Sequence, residues 1–562
     1  MLSKSYTSFL RFPISLWQDV RKWLSVRENL LFVVLIVVHL LPIWFFKYFP
    51  SSDGPAHIEN ANILREYYFP EHTLLREYYV LNKNLVPNWF GHLVMAGLMH
   101  IVSPLVAEKM LLSGYVILLP ISMRYALHAI RPDTGFLAFL AFPFIYNYML
   151  HMGFYNFSYS LPMFFFVVGY WLKYQNRFTL GRIVTLALLS VLLYFCHLFS
   201  LVTAYVAIAL LTIWLTVLDL AQQLRQQQFN LRSFGRTFWM RALVPLCTFL
   251  PTLILVMMFL GRKSTNASSN TLWWPVPFWK RLLDLLILRS IGSYQRLELL
   301  FSTALAVLFV AICLYILRSR VVHRQLNWWD GFLLISAAYV VIYLITPDRM
   351  FGGGNIKERL LFYPFFALAL WLGSHSYHRL VKQRIQLVAV GIALMLLGLH
   401  TIKYAEFNNY LEEYVSGMHL IKPNTTLLPI HFASFSSWRI EPFVCANGYI
   451  AAQRDVIDLG NYEAQLDHFP ILFRPNLNPD LHIKIKQQGD IVVQPPRVDF
   501  LTYPQRTGGS VDYVLLWHLN EKQRDYANTK FIYSQLEEGY ELIYTSPQRG
   551  LMQLYRRKDW KQ

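Results

Sequence analysis

Charge is scarce in this chain. Only 15% of its 562 residues are Asp, Glu, Lys or Arg, while 55% are hydrophobic and the mean hydropathy is +0.34. Soluble domains carry roughly 25% charged residues, so a soluble globular class is excluded. Cysteine is scarce too. Cys196, Cys247 and Cys313 fall in apolar runs and Cys445 stands alone in the polar tail, so no disulfide is expected there. Several familiar sites are missing: no Gly-x-x-x-x-Gly-Lys phosphate loop, no His-Glu-x-x-His, no Cys-x-x-Cys and no Asp-x-Asp. With no cytoplasmic domain expected either, these absences argue against chemistry driven by nucleotides.

What is present is a series of apolar runs. A hydrocarbon core of roughly 30 Å needs about 20 helical residues. The runs predict eleven spans, near 29–49, 105–128, 134–150, 154–174, 180–196, 198–219, 240–260, 299–317, 330–346, 358–374 and 385–402. The long stretch 180–219 is divided at Cys196-His197-Leu198-Phe199-Ser200, because one helix of that length would overshoot the bilayer. Basic residues cluster in alternate connections: Arg11, Arg21, Lys22 and Arg27; Arg177 and Arg182; Arg225, Arg232, Arg236 and Arg241; Arg318, Arg320 and Arg324; Arg379, Lys382 and Arg384. Excess Lys and Arg mark cytoplasmic loops, and eleven spans place every one of these clusters on that side.

The expected fold class is therefore an α-helical polytopic membrane protein with a small α/β exterior domain. It divides into an amphipathic cytoplasmic N-terminus (1–28, with Trp17 and Trp23 beside basic residues over 12–26), a transmembrane domain (29–402) with long exterior loops at 50–104 and 261–298, and an exterior domain (403–562). From Lys403 onward there are 17 Lys and Arg against 18 Asp and Glu, so the net charge of +18 resides in the membrane part. It is a topology signal, and nucleic acid gets no support as a partner. In the tail, 425–432 and 511–517 read as strands, 521–536 as a helix, and 540–545 with 551–555 as a closing hairpin. Sequons at Asn266 and Asn424 face outward. The leaderless start and short cytoplasmic loops suggest a bacterial inner membrane with a periplasmic C-terminus; the endoplasmic reticulum is the other option.

The first exterior loop carries the most information. It runs Ser51-Ser52-Asp53-Gly54-Pro55-Ala56-His57-Ile58-Glu59, continues helically through Ile63-Leu64-Arg65-Glu66-Tyr67-Tyr68, and reaches Pro87-Asn88-Trp89. A second apolar helix at 89–102 is too short to span and is placed along the membrane surface, ahead of Ala107-Glu108-Lys109. In this layout the chain resembles the GT-C class of integral membrane glycosyltransferases, which includes protein O-mannosyltransferases and lipid A aminoarabinose transferases. The shared features are an exterior carboxylate just after the first span, interfacial helices in that loop, Pro-x-Trp before a short helix, many spans and an exterior C-terminal domain. The resemblance implies a polyprenyl-phosphate sugar donor, a lipid, glycan or protein acceptor, and an aspartate base at the position of Asp53.

The chemistry is consistent with that layout. A carboxylate at the surface can take the proton of an acceptor hydroxyl, while cations offset charge on a departing phosphate. Arg349, Lys357 and Arg359 are the candidates for that phosphate, in or just after the glycine-bearing loop Asp348-Arg349-Met350-Phe351-Gly352-Gly353-Gly354-Asn355-Ile356-Lys357, with Lys280 and Arg281 behind them. A helix starting near Ile356 would turn its positive end the same way. His57 and Glu59 are candidates for orienting the acceptor or binding a divalent metal, although the second exterior loop, His151-Met-Gly-Phe-Tyr-Asn156, lacks the acids that metal-dependent members of the class place there, and no metal ligand is assigned.

Each residue also has a plainer role. Asp53 before Gly54-Pro55 reads as a helix N-cap. His57 and Glu59 read as solvated helix residues, Lys357 and Arg359 as interfacial anchors, His151 and His197 as packed polar caps, and 278–291 with Trp273, Trp274 and Trp279 as an interfacial amphipathic helix rather than a sugar platform. Two rival functions stay open: a transporter, and a non-catalytic assembly or sensor protein. Spans 301–317 and 385–399 hold no Asp, Glu, Lys, Arg or His, and no inverted repeat is evident, which speaks against coupled transport.

Overall fold

The apolar runs become helices whose two faces are both greasy. Between Glu298 and Arg318, Leu305, Phe309, Ile312 and Ile316 pack inward while Leu300, Val307, Val310 and Leu314 lie exposed. That distribution suits lipid as the outer solvent. The computed structural model describes residues 22–227, 230–263, 276–323, 327–350, 353–432, 437–485 and 495–559. The N-terminal segment up to residue 21, the sequon at Asn266, Trp273, Trp274, Phe351 and Gly352 lie outside the described residues.

In chain order the helices are α1 (Arg27–Phe45), α2 (Gly54–Glu66), α3 (Phe90–Leu98), α4 (Pro104–Ile130), α5 (Tyr155–Tyr174), α6 (Leu180–Cys196), α7 (Leu198–Arg225), α8 (Leu231–Arg262), α9 (Phe278–Leu286), α10 (Glu298–Arg318), α11 (Trp328–Ile345), α12 (Ile356–Leu360), α13 (Phe362–Leu372), α14 (Arg379–Leu420), α15 (Asn447–Arg454) and α16 (Ala527–Gly539). Seven of the described helices, α1, α4, α7, α8, α10, α11 and α14, are long and apolar enough to cross a membrane. The break expected near residue 197 falls at His197, whose extended backbone (φ −167°, ψ 130°) separates α6 from α7.

The other four of the eleven expected spans are not among those seven. The run at 134–150 is a 3₁₀ helix, Pro132–Phe144, followed by one helical turn, and Thr134 to Phe144 are all buried. Two prolines and four phenylalanines are packed into those turns, and a 3₁₀ helix rises about 2 Å per residue, so few residues cover a long path. The run at 154–174 is α5, that at 180–196 is the shorter apolar helix α6, and that at 358–374 is divided between α12 and α13.

The C-terminal part builds a five-stranded sheet in the order β3-β2-β5-β7-β6, from β2 (Thr426–His431), β3 (Ile457–Asp458), β5 (Tyr513–Trp517), β6 (Tyr540–Thr545) and β7 (Met552–Arg557). β2 runs parallel to β3 and β5; the β6–β7 hairpin is antiparallel and joins β5 through β7. The expected helix at 521–536 starts later, at Ala527, because Asn520 caps a separate 3₁₀ turn with a capping box closed by Gln523. A second, two-stranded sheet pairs β1 (Tyr79–Leu81) of the first loop with β4 (Ile471–Phe473). It stitches the first loop to a segment nearly 400 residues downstream.

The sheet is fastened to the helices through Glu413 near the end of α14. This buried carboxylate accepts from Ser546 Oγ (2.7 Å), from the backbone N–H groups of Arg549 (3.1 Å) and Leu551 (3.2 Å), and from the Arg549 guanidinium (3.0 Å). Removing it leaves buried donors unmet, at about 1.5–3 kcal/mol for a charged hydrogen bond. Glu413→Ala should lower the thermal midpoint of the purified protein by several degrees, with Glu413→Gln falling between it and the parent.

Candidate active site

The first loop leaves α1 and turns sharply at Ser51 and Ser52. The backbone N–H groups of Ser52 and Asp53 donate to the carbonyls of His151 and Met152, each at 3.0 Å, which pins Asp53 against the turn before α5. Gly153 in that turn has φ +84°, and a Cβ there would stand 2.4 Å from the backbone nitrogen of Gly54 and 2.7 Å from that of Asp53. Only glycine combines that backbone with that approach.

Asp53 occupies the N-cap position of α2, with Pro55 in the first turn, yet its side chain makes no capping hydrogen bond. The plain helix-cap role thus does not account for its carboxylate. The carboxylate instead lines a cavity of about 270 Å³ together with His57, Asn88, Asn156, His197, Arg359, Tyr462 and His468, among apolar walls that include Phe154, Phe157, Phe199, Phe259 and Phe469. Burial pushes the Asp53 carboxyl up to about 7, against the opposing pull of His57, a hydrogen bond from Tyr462, and Arg359.

The expected cations separate. Arg359 lines the cavity and stacks on Phe154, its guanidinium carbon 4.7 Å from the ring centre. Among the described residues no carboxylate lies within ion-pair distance of it, and its buried Nε has no hydrogen-bond partner. Lys357, two residues earlier on α12, points elsewhere: its Nζ is 3.2 Å from Asp284 and 3.5 Å from Glu358. Arg281 is buried, 3.2 Å from Asp348, and donates to the carbonyls of Tyr343, Leu344 and Thr346. Neither Arg349 nor Lys280 lines the cavity. α9 turns Arg281 and Asp284 inward and Phe278, Trp279, Leu282, Leu283 and Leu286 outward, the form of an interfacial helix facing lipid.

His57 and Glu59 also part. Glu59 is buried against Asp458 and accepts from Asn461 Nδ2 at 3.0 Å. Burial and the neighbouring Asp458 raise its pKa well above the usual carboxyl range, and burial raises that of Asp458 as well. Asp458 in turn accepts from Asn447 Nδ2. His57 belongs to a different cluster: its Nδ1 is 2.8 Å from Glu463 Oε1 and 2.9 Å from His92 Nε2, and His92 Nε2 is 3.1 Å from Glu463 Oε2. Their ligating atoms all lie within 4.8 Å of one another. Burial alone would raise the Glu463 pKa, but His57 and His92 hold it well below the usual range.

Of the residues singled out by sequence, Asp53, His57 and Arg359 converge on one cavity; Glu59, Arg349 and Lys357 do not. The residues that sequence reasoning missed are His92, Tyr462, Glu463 and His468. His92 sits in the informative first loop, three residues after Trp89, and could have been weighed with His57. Glu463 had no local signal. His197 does serve as a polar cap, its Nδ1 accepting from Phe199 N–H at 3.2 Å, and it lines the cavity as well.

The fold matches that of ArnT from Cupriavidus metallidurans, solved in the apo state, with a TM-score of 0.51 at 9% identity over 96% of this chain and 98% of that one. No protein-family model matches the chain, and no curated protein sequence does. Together with the seven apolar helices, this makes the chain a multi-pass membrane protein of ArnT-like fold.

Gly153→Ala should dislodge the Asp53 turn, because the added methyl collides with backbone on both sides of it at a cost of about 1–3 kcal/mol. The expected outcome is a folded protein of lowered thermal midpoint with little or no activity; a fully active Gly153→Ala protein would show that the turn does not position Asp53.

Proposed function

We propose that the chain is a membrane glycosyltransferase that moves a sugar from a polyprenyl-phosphate donor to an acceptor hydroxyl on a lipid, glycan or protein. The observation that carries this is the convergence of two groups that have no ion-pair partner among the described residues, the Asp53 carboxylate and the Arg359 guanidinium, on one aromatic-walled cavity. ArnT from Cupriavidus metallidurans has a matching fold and so lends support at the level of architecture.

In this reading Asp53 accepts the acceptor's hydroxyl proton as that oxygen forms its bond to the anomeric carbon. The bond from that carbon to the donor phosphate oxygen breaks, and the electron pair leaves with the phosphate. Arg359 receives the charge that develops there, in a wall of low polarity where a fixed cation acts strongly. A carboxyl with pKa near 7 binds protons more readily than an ordinary aspartate, which suits a base that is desolvated until substrate enters. Aromatic walls suit both a sugar face and the first units of a polyprenyl chain.

The same reading has the chain cross the membrane eleven times, with the 3₁₀ helix, α5, α6 and the α12–α13 pair completing the set begun by the seven long helices. The cavity and residues 403–562 then lie on the exterior face, periplasmic in a bacterial inner membrane, where nucleotide sugars do not reach and a lipid-borne donor is required.

Asp53→Asn, which keeps size and hydrogen bonding but cannot take a proton, should cut transfer by about 10²–10⁴-fold at normal expression. Arg359→Ala should raise the donor KM and lower kcat, whereas Lys357→Ala should leave the donor KM unchanged and act only through stability, since it removes a partner of Asp284. Equal effects of the two cation substitutions on donor KM would contradict the assignment.

A further inference from the structure

The cluster of His57, His92 and Glu463 has no part in the proton transfer described above, and its geometry is not that of a packed polar core. Three residues from separate pieces of chain, α2, α3 and the 3₁₀ turn at 463–465, aim their ligating atoms at one point, and all three are buried. We infer that these residues bind a divalent transition-metal ion, with zinc(II) the ion their chemistry suits, and that the ion fastens the C-terminal segment to the first-loop helices beside the cavity.

The protons do not satisfy every contact within the cluster. His92 Nδ1 lies 3.2 Å from the carbonyl oxygen of Asn88, which can only accept, so Nδ1 carries a hydrogen. In neutral His92 the Nε2 lone pair then faces His57 Nδ1 at 2.9 Å and Glu463 Oε2 at 3.1 Å. Were both nitrogens protonated, two N–H groups would oppose each other. Were neither, three lone-pair atoms would converge unscreened in a dry site. A proton on His57 Nδ1 serves Glu463 Oε1 and His92 Nε2 together and leaves two lone-pair atoms, His92 Nε2 and Glu463 Oε2, facing each other at 3.1 Å. Glu463 Oε2 already accepts from Asn60 Nδ2 at 2.6 Å, while Oε1 is buried without a hydrogen-bond donor although His57 Nδ1 is 2.8 Å away. One ion about 2.1 Å from each ligand atom answers all three contacts together.

The surroundings are those of a ligand set rather than a salt bridge. His92 is oriented through its far nitrogen by a backbone carbonyl, and Glu463 is held by Asn60. Ligands at a tetrahedral zinc stand about 3.3 Å apart, so the observed 2.8–3.1 Å contacts need to open by only a few tenths of an ångström. Two imidazole nitrogens and one carboxylate favour zinc over calcium or magnesium, which prefer all-oxygen shells. His57 lines the cavity, which gives an ion its route in. The site differs from the His57–Glu59 pair that the sequence suggested, because Glu59 faces Asp458.

The proposal is independent of the transfer reaction and is tested on metal content. The full-length protein is purified in detergent without chelator, dialysed with zinc(II) and then against buffer, and its metal is measured by mass spectrometry. The expected result is about one zinc per chain, retained by Asp53→Asn and lost by His92→Gln and Glu463→Gln. Because those two variants could unfold, the parent protein is also loaded with cobalt(II) after chelation. Intense visible absorption of four- or five-coordinate cobalt, displaced by zinc, together with a thermal midpoint that zinc raises, supports the site. Parent protein that holds no zinc after dialysis, and whose cobalt spectrum is that of the free aquo ion, overturns it. So does unchanged zinc content in folded His92→Gln and Glu463→Gln. Loss of transfer with zinc retained in Asp53→Asn keeps the metal site and the base assignment separately testable.

Discussion

A carboxylate withdrawn from water costs several kcal/mol unless partners surround it, and the Glu463 carboxylate is fully withdrawn. Its partners are His57, His92 and Asn60, all in the first loop, whereas Glu463 itself belongs to the C-terminal part. The two regions therefore dock as a condition of folding. Around this contact run further ties of the same kind: Asn461 to Glu59 and Asn60, Asn82 to the carbonyls of Asp467 and Phe469, and the short β1–β4 sheet. The cavity is what this docking encloses. Asp53 and His57 come from one side of the joint, Tyr462, His468 and Phe469 from the other, and α5, α7, α8 and α12 contribute to the remaining walls.

The distribution of cations follows a similar logic. A basic residue near a membrane surface can be an anchor, a structural ion-pair partner or a ligand for an anion, and only its neighbours decide which. Arg281, Arg289 and Lys357 converge on Asp284, Asp348 and Glu358, and Arg439 stacks on Tyr148 within 3.5 Å of Glu358. Those charges are paired with one another within the protein. Arg359 lies outside this network, supported by an aromatic face instead of an acid, so its charge remains available to whatever enters the cavity.

Several features were legible because they are local. Long apolar runs with basic ends reveal the helices, and Asp53 is conspicuous as an acid directly after the first of them. The strand at Tyr513–Trp517 and the closing hairpin were readable from alternation and turn residues. What could not be read depended on partners distant in sequence. Lys357 and Arg359 look equivalent in the chain; two residues apart on a helix they point to different faces, and only packing shows that one meets Asp284. Glu463 meets His92 across 371 positions. The 3₁₀ path of Pro132–Phe144 was also hidden, since its apolar composition reads as an ordinary span and the tightening arises from dense packing of phenylalanines against α4 and α14.

The central claim is that Asp53 and Arg359 face a lipid-borne phosphate sugar from within one cavity. A structure of the protein in a lipid nanodisc with a polyprenyl phosphate tests this most directly. The account predicts the phosphate within hydrogen-bonding distance of the Arg359 guanidinium, inside the cavity that Asp53 lines, with the polyprenyl chain leaving toward lipid. A phosphate held by Lys357 or Arg349, or one bound outside that cavity, would contradict it.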